Sequence, residues 1–279
     1  MNTALLRLLA LPLLFAALPA AAQPAGLPEA LRGAWAAGDC AAPKAVLALS
    51  ARSAVRIDPE GPTRLWRFAA IAPLADWTLG TATGPEAPRL LLRGTADALE
   101  TAEPDPKLRD AALPGTPAIQ AWRRCATLPL PFVMNHAEGV AMLPALEVIE
   151  AGCTGAPRAC AEAIVAAGDV SRDGKLAAAE IGRLTRGFAW MAAAFDGGPA
   201  EALGAATGAG TVAGLLAGRL AVEAMDYDGD GRISAEEMVV DTASFGSHPG
   251  SAAGQPFRLE GVMEGAGMLR GLLEGLLNR

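Results

Sequence analysis

Histidine is nearly missing from the 279 residues: His136 and His248 are the only two. Neither has a partner histidine nearby, and each sits in a polar Asn, Ser or Pro context, so surface or helix-capping roles are expected rather than metal ligation. The first 127 residues hold no histidine at all and their Ser, Asp and Glu residues are scattered, which leaves no catalytic constellation there. Ser247 beside His248 has no nucleophile-elbow pattern around it, so hydrolase machinery is not expected and the chain is not read as an enzyme. Basic charge is also short. Lys and Arg number 23 against 30 Asp and Glu, a formal charge of −7, which argues against nucleic acid as a partner and suits a partner of positive charge. The four cysteines lack the CxxC spacing of a zinc site. Lys and Tyr are scarce while Ala, Gly, Leu and Pro abound, the bias of a high-GC bacterial genome.

Long hydrophobic runs are missing too. Residues 1–22 carry Arg7, an apolar stretch at 8–18 broken by Pro12, and Ala20-Ala21-Ala22 before Gln23. That order matches a secretory signal peptide and is too short for a span. No cysteine follows directly, so a lipid anchor is not expected. Export to a periplasm or beyond the cell is the expected localisation. Without those residues the charge is 22 cations against 30 acids, or −8, and 279 minus 22 leaves 257 residues, enough for two domains. Export makes disulfides the natural state of Cys40, Cys125, Cys153 and Cys160. Of three possible pairings, Cys40 with Cys125 and Cys153 with Cys160 keeps each bridge within one half and ties the first strand of the N-terminal unit to its last.

Two halves are expected, 23–127 and 128–279, because the periodicity changes between them. Short apolar or alternating runs at 44–50, 54–58, 64–71, 76–82, 89–93 and 119–126 are separated by Gly, Pro and Asp, the pattern of an antiparallel barrel or sandwich. Gly33-Ala34-Trp35 resembles the Gly-x-Trp that opens the first strand of lipocalin-like barrels. The resemblance implies that a basic residue of the last strand, Arg123 or Arg124, covers Trp35. Such a barrel implies a ligand cup or an inhibitory surface, while the plainer reading makes Trp35, Trp66, Trp77 and Trp122 core aromatics. Two prolines, Pro129 and Pro131, mark a hinge after it.

Helical spacing then takes over. Val140, Leu143, Leu146 and Ile149 line one face over 138–151, with Pro144 near the start of that helix or kinking it. Pro157 opens a helix to Gly168. Ile181, Leu184, Phe188 and Met191 belong to another that stops at Asp196-Gly197-Gly198, and Pro199 marks the next start. Residues 202–218 are uncharged with glycines at 210, 214 and 218, read as a glycine-faced soluble helix that permits close packing rather than a stable membrane span. Leu215, Leu220, Val222 and Met225 continue toward residue 226, and Met238 and Val239 begin an exit helix. Gly267, Gly271 and Gly275 repeat the four-residue spacing, so the segment 256–277 is expected to dock on the glycine-faced helix or on its copy in a homodimer.

Two acidic stretches punctuate these helices. Residues 226–237 carry Asp226, Asp228, Asp230, Gly231, Arg232, Ser234 and Glu237. Residues 169–180 carry Asp169, Ser171, Asp173, Gly174, Lys175 and Glu180 at matching positions. Both resemble the twelve-residue metal loop of EF-hand proteins, in which oxygens at positions 1, 3, 5, 7, 9 and 12 converge on one Ca2+ and glycine at 6 makes the sharp turn. Arg232 and Lys175 at 7 would offer only a backbone carbonyl, and the Arg232 side chain is expected to reach water. Ala177 stands at 9 in the first loop, where a water would substitute. Four carboxylates against three predict tighter binding by the loop at Asp226. The resemblance also implies that the loops lie side by side with a short β bridge between the position-8 residues, Leu176 and Ile233. The loops are 45 residues apart (225 minus 180), more than in the common pair.

The fold class expected is α+β, with an N-terminal antiparallel barrel or sandwich followed by an all-α EF-hand pair domain. The expected function is binding of Ca2+ that serves mainly as structure. One alternative is a calcium-dependent sensor that engages a protein partner. Another is an inhibitor or ligand-binding barrel with accessory calcium sites.

Overall fold

The computed structural model describes residues 26–84, 86–105, 107 and 117–240. The expected signal peptide, His248 and the glycine-spaced segment 256–277 lie outside them. Eight strands form one closed antiparallel barrel in sequence order: β1 (Gly33–Gly38), β2 (Pro43–Leu49), β3 (Ser53–Ile57), β4 (Arg64–Leu74), β5 (Trp77–Ala82), β6 (Arg89–Gly94), β7 (Ala98–Ala102) and β8 (Ile119–Arg124). Closure comes from β8 pairing with β1, Trp35 opposite Arg124 and Ala36 opposite Arg123. The barrel is therefore the outcome and the sandwich is not. One strand, β7, was not expected: Ala-Leu-Glu-Thr-Ala offers a single large apolar side chain, and its neighbours β6 and β8 supply the ladder that makes it a strand.

Side chains alternate across each strand, so every second residue fills the interior. Trp35, Leu47, Trp66, Phe68, Leu92, Leu99 and Trp122 do so and leave a packed core. The Gly-x-Trp opening has a physical cause. Trp35 donates its indole N–H to the Leu31 carbonyl, 2.8 Å away, and the Arg124 guanidinium lies 4.2 Å over its ring. That guanidinium also donates to the carbonyls of Ala30, Arg32 and Ala96, plugging the barrel end. Gly33 has φ +116°, and a Cβ there would meet Arg124 Nη1 at 2.8 Å, so the position requires glycine. Arg124, rather than Arg123, is the covering residue. Cys40–Cys125 joins the chain just past β1 to the chain just past β8, and Cys153–Cys160 joins two helices. Both bridges fit an oxidising, extracellular environment.

Four helices follow: α1 (Leu130–Gly152), α2 (Pro157–Gly168), α3 (Ala178–Phe195) and α4 (Ala200–Met225). Helix α1 starts two turns earlier than periodicity implied. Pro131 falls in its first turn, where a missing N–H costs nothing, so it belongs to the helix rather than to a hinge. Pro144 lies well inside it, between the buried Leu143 and Leu146, where packing offsets the lost backbone bond. His136, expected at the surface, is buried, and its Nδ1 accepts the Trp190 indole N–H at 3.1 Å.

The helices cover the outside of β2, β3 and β4, and this explains an irregular burial pattern. On β2, Ala45, Leu47 and Leu49 point into the barrel, yet Val46 and Ala48 on the other face are equally buried. Ala48, Val55 and Ile57 share a second core with Met142, Leu146, Leu184, Trp190 and Leu203 of the helices. Polar contacts seal the seam. Glu147 Oε1 accepts from the Ser50 hydroxyl (2.5 Å), the Ser53 hydroxyl (2.8 Å) and the Arg52 N–H (2.8 Å). Arg67 of β4 pairs with Glu150 of α1, and the Thr63 N–H donates to the Gly198 carbonyl before α4.

The glycine ridge of α4 packs against α3. Gly210, Gly214 and Gly218 are buried against α3: an added Cβ would stand 3.0 Å from Arg186 Cα, 2.7 Å from the Gly182 carbonyl oxygen and 2.2 Å from that of Ala178. The opposite face carries exposed Val212, Leu215, Leu216 and Leu220. By length and composition α4 could cross a membrane. However, it lies antiparallel to α3 with both acidic loops at one end, a pairing described below. A single helix thus serves as both the glycine stretch and the lead into residue 226.

Opposite substitutions in α4 test this packing. Gly214→Ala should destabilise the protein by about 1–3 kcal/mol through overpacking, whereas Gly208→Ala, where nothing stands within 4 Å, should stabilise it by about 1 kcal/mol through helix propensity. Urea unfolding of both variants checks the signs, and a neutral Gly214→Ala would contradict the close approach.

Candidate metal centre

Residues 169–180 join α2 to α3, and residues 226–237 leave α4 for a short 3-10 turn (Glu237–Val239). The two loops adopt the same local structure because the same residue types stand at the same positions. In each, the opening aspartate caps the curl. Asp226 Oδ1 accepts from the N–H groups of Gly229 (2.8 Å) and Asp230 (3.1 Å), and its Oδ2 accepts from Gly231 (2.7 Å). Asp169 does likewise with Arg172, Asp173 and Gly174. Positions 4 and 6 of each loop take left-handed backbone: Gly229 and Gly231 at φ +75° and +81°, Arg172 and Gly174 at +61° and +82°. Arg172 adopts that conformation at some steric cost, since it carries a Cβ.

The closing glutamates bridge both ends of their loops. Glu237 Oε1 accepts from the N–H groups of Tyr227 (2.9 Å) and Asp228 (3.2 Å), and Oε2 from the N–H of Ser234 (2.8 Å) and its hydroxyl (2.7 Å). Glu180 accepts from Val170 and Ser171 with one oxygen and from Ala177 with the other. For Glu237 the Ser234 N–H is the main cause of a lowered pKa, with burial opposing and the remaining donors adding to the shift. Burial works against ionisation of Glu180, yet the N–H groups of Ala177, Ser171 and Val170 with the Ser171 hydroxyl outweigh it and lower its pKa as well. Both carboxylates are thus favoured in the ionised form by the N–H and hydroxyl donors around them.

Antiparallel pairing of β9 (Lys175–Ala177) with β10 (Arg232–Ser234) sets the loops side by side, Leu176 opposite Ile233. Both side chains are buried. In the second loop, one oxygen each from Asp226, Asp228 and Glu237 lies within 4.8 Å of the others. No other such group of His, Cys, Asp or Glu occurs among the described residues. Three anionic oxygens gathered on a tight backbone turn could supply part of the six to eight oxygens that a hard cation such as Ca2+ takes.

The pairing also brings together side chains that the sequence did not connect. Arg232 is exposed to water as expected, and its guanidinium also pairs with Asp173 of the other loop. Reciprocally, Lys175 Nζ lies 2.8 Å from Asp228 Oδ2 and bonds Asp230 Oδ2. The Lys175 pKa is raised by these two carboxylates, Asp228 first, and that of Asp228 is lowered chiefly by Lys175. The signal was present as a basic residue at position 7 of both loops, but only the β9–β10 register gives each side chain a target. Ser171 donates its hydroxyl to Asp169 Oδ1 at 3.3 Å.

Comparison of the chain with protein-family models, characterised proteins and solved structures finds no match.

The pH dependence of stability follows from the two glutamates. Their folded-state pKa values lie below the ordinary 4.5, so the stability they contribute is complete above about 4.5 and is lost as pH falls through the folded values. Glu180→Gln or Glu237→Gln should therefore flatten the acid limb of a melting-temperature profile. An unchanged slope below pH 4.5 in both variants would show that the bridging bonds contribute nothing.

Proposed function

We propose that the chain binds Ca2+ through two EF-hand loops, Asp169–Glu180 and Asp226–Glu237, and that the ion serves mainly as structure. The observation that carries this reading is the gathering of Asp226, Asp228 and Glu237 oxygens on a loop whose turn, closing glutamate and pairing recur at 169–180. Asp226, Asp228, Asp230, Glu237 and the Arg232 carbonyl would hold the ion in the second loop, with Ser234 at the remaining vertex. Asp169, Ser171, Asp173, Glu180 and the Lys175 carbonyl would hold it in the first. The bound ion would neutralise carboxylates that otherwise repel one another and would fix the ends of α2, α3 and α4 relative to one another.

A structural role is favoured over a sensor by location and by packing. An oxidising compartment outside the cytosol is rich in calcium, and extracellular modules there work at about 10⁻⁴ to 10⁻³ M affinity, which keeps such a site filled. Among the described residues Trp35, Trp66, Trp122 and Phe68 pack in the barrel interior, which supports this reading over that of a ligand cup.

Calorimetry with CaCl2 on the protein lacking residues 1–22 tests the proposal. Saturable binding with a melting temperature that climbs with calcium is expected, and Asp226→Ala or Glu237→Gln should weaken the tighter site at least about tenfold, the ~1.4 kcal/mol of one lost charged ligand. Absence of binding at millimolar calcium sinks the reading. Calcium-induced binding of a dye that reports apolar surface would replace the structural role by the sensor.

A further inference from the structure

A cavity of about 190 Å³ lies where the barrel meets the helices. Its floor is Val46 of β2 and Ile57 of β3, cross-strand partners that project away from the barrel interior. Pro131 and Phe132 at the start of α1 form one wall, and Ala200 at the start of α4 lies opposite. Only two polar side chains line it, Asn135 and His136, and no charged group does.

His136 is 94% buried (6% exposed). Its Nδ1 accepts from Trp190 Nε1 at 3.1 Å, so in the neutral ring Nε2 carries the proton and is a donor. Trp190 is completely buried, and a Cβ at Gly139 would come within 2.0 Å of its indole, so the indole that selects this tautomer cannot move away. Nε2 has no hydrogen-bond partner among the described residues. Nε2 is not one of the buried side-chain atoms left without a partner among the described residues, so its N–H is open to solvent, and an occupant of the cavity that accepts from it exchanges hydration for a direct hydrogen bond.

We propose that this seam cavity binds a small neutral molecule with an apolar body and one acceptor oxygen, such as a ketone or an ester, received by His136 Nε2–H. An anion does not fit: with no cation in the lining, a carboxylate or phosphate would lose its hydration without compensation. Burial lowers the His136 pKa, so the ring is neutral at physiological pH and does not supply that cation. Size sets the rest. A 150 Å³ apolar cavity accommodates benzene, so this one takes about six to eight heavy atoms. The site is independent of the acidic loops and holds whether or not they bind calcium.

The test uses the protein lacking residues 1–22, labelled with ¹⁵N-histidine, and two probes of equal size, cyclohexanone and methylcyclohexane. Cyclohexanone should shift the His136 Nε2–H resonance saturably and bind about fivefold more tightly than methylcyclohexane, the worth of one net hydrogen bond. Ala200→Phe, which fills the cavity from the first turn of α4, should abolish binding of both while circular dichroism stays unchanged. His136→Phe should bind the two probes equally. Equal affinity in the unsubstituted protein, no response at millimolar probe, a response that survives Ala200→Phe, or a water that stays bound at Nε2–H in the presence of cyclohexanone would each overturn the proposal.

Discussion

One stretch of barrel wall, β2 to β4, is buried from both sides, and the rest of the molecule is placed by that fact. A closed barrel normally turns its outer face to water, with alternating apolar and polar residues along each strand. Here Ala48, Val55 and Ile57 replace the polar set and give α1 an apolar floor. Helix α1 then positions α3, because Gly139 and Gly187 let Trp190 and Met142 pack across the two helices. Helix α3 in turn holds α4 backbone to backbone at Gly182 and Gly214. The two acidic loops come together only because α3 begins, and α4 ends, at the same end of that pair. The wall, the helices and the loops form a single chain of dependence.

Glu147 shows how such a seam can be polar without being weak. Its Oε1 gathers three donors from the β2–β3 turn, all short, and leaves the buried Ser50 and Ser53 hydroxyls satisfied. Without it, burying that turn would strand the Ser53 hydroxyl and the Arg52 N–H and leave the Ser50 hydroxyl only its longer bond to the Ser53 carbonyl, a cost that offsets part of the apolar packing. The apolar floor and the carboxylate that allows the turn to be covered therefore have to occur together. This orients α1 more specifically than burial alone, which has no direction.

Much of this was legible in the sequence wherever a residue has one structural use. Gly33-x-Trp35, the alternating runs and the even cysteine count led to a barrel closed by a disulfide. Pro157, Pro199 and the Gly197-Gly198 pair marked helix boundaries. The position-8 residues Leu176 and Ile233 pair as the loop resemblance implied. What stayed hidden depends on neighbours. Strand β7 exists because β6 and β8 flank it, and His136 is buried because Trp190, 54 positions away, offers it a donor. The partner of the glycine ridge could not be chosen from spacing alone. Gly267, Gly271 and Gly275 match the period, while α3, which precedes α4 across the turn at Gly197-Gly198, meets the ridge through Gly182 and Ala178.

The cross-loop pairs bear on which loop would favour a cation. Counted by carboxylates alone, residues 226–237 offer four and residues 169–180 three. Each loop also lends the other one cation: Lys175 sits on Asp228 and Asp230, and Arg232 sits on Asp173. Subtracting one from each leaves three against two, so the order survives while both sites become less anionic. The two contributions differ in kind. Lys175 is a point charge shared between two carboxylates on a flexible stem, which an entering ion can displace from one oxygen while it keeps the other. Arg232 meets a single carboxylate with a planar, always charged group. Under the calcium reading, the loop that gains from four carboxylates is thus also the one whose counter-ion yields more easily, and the two effects favour the loop at Asp226 in the same direction.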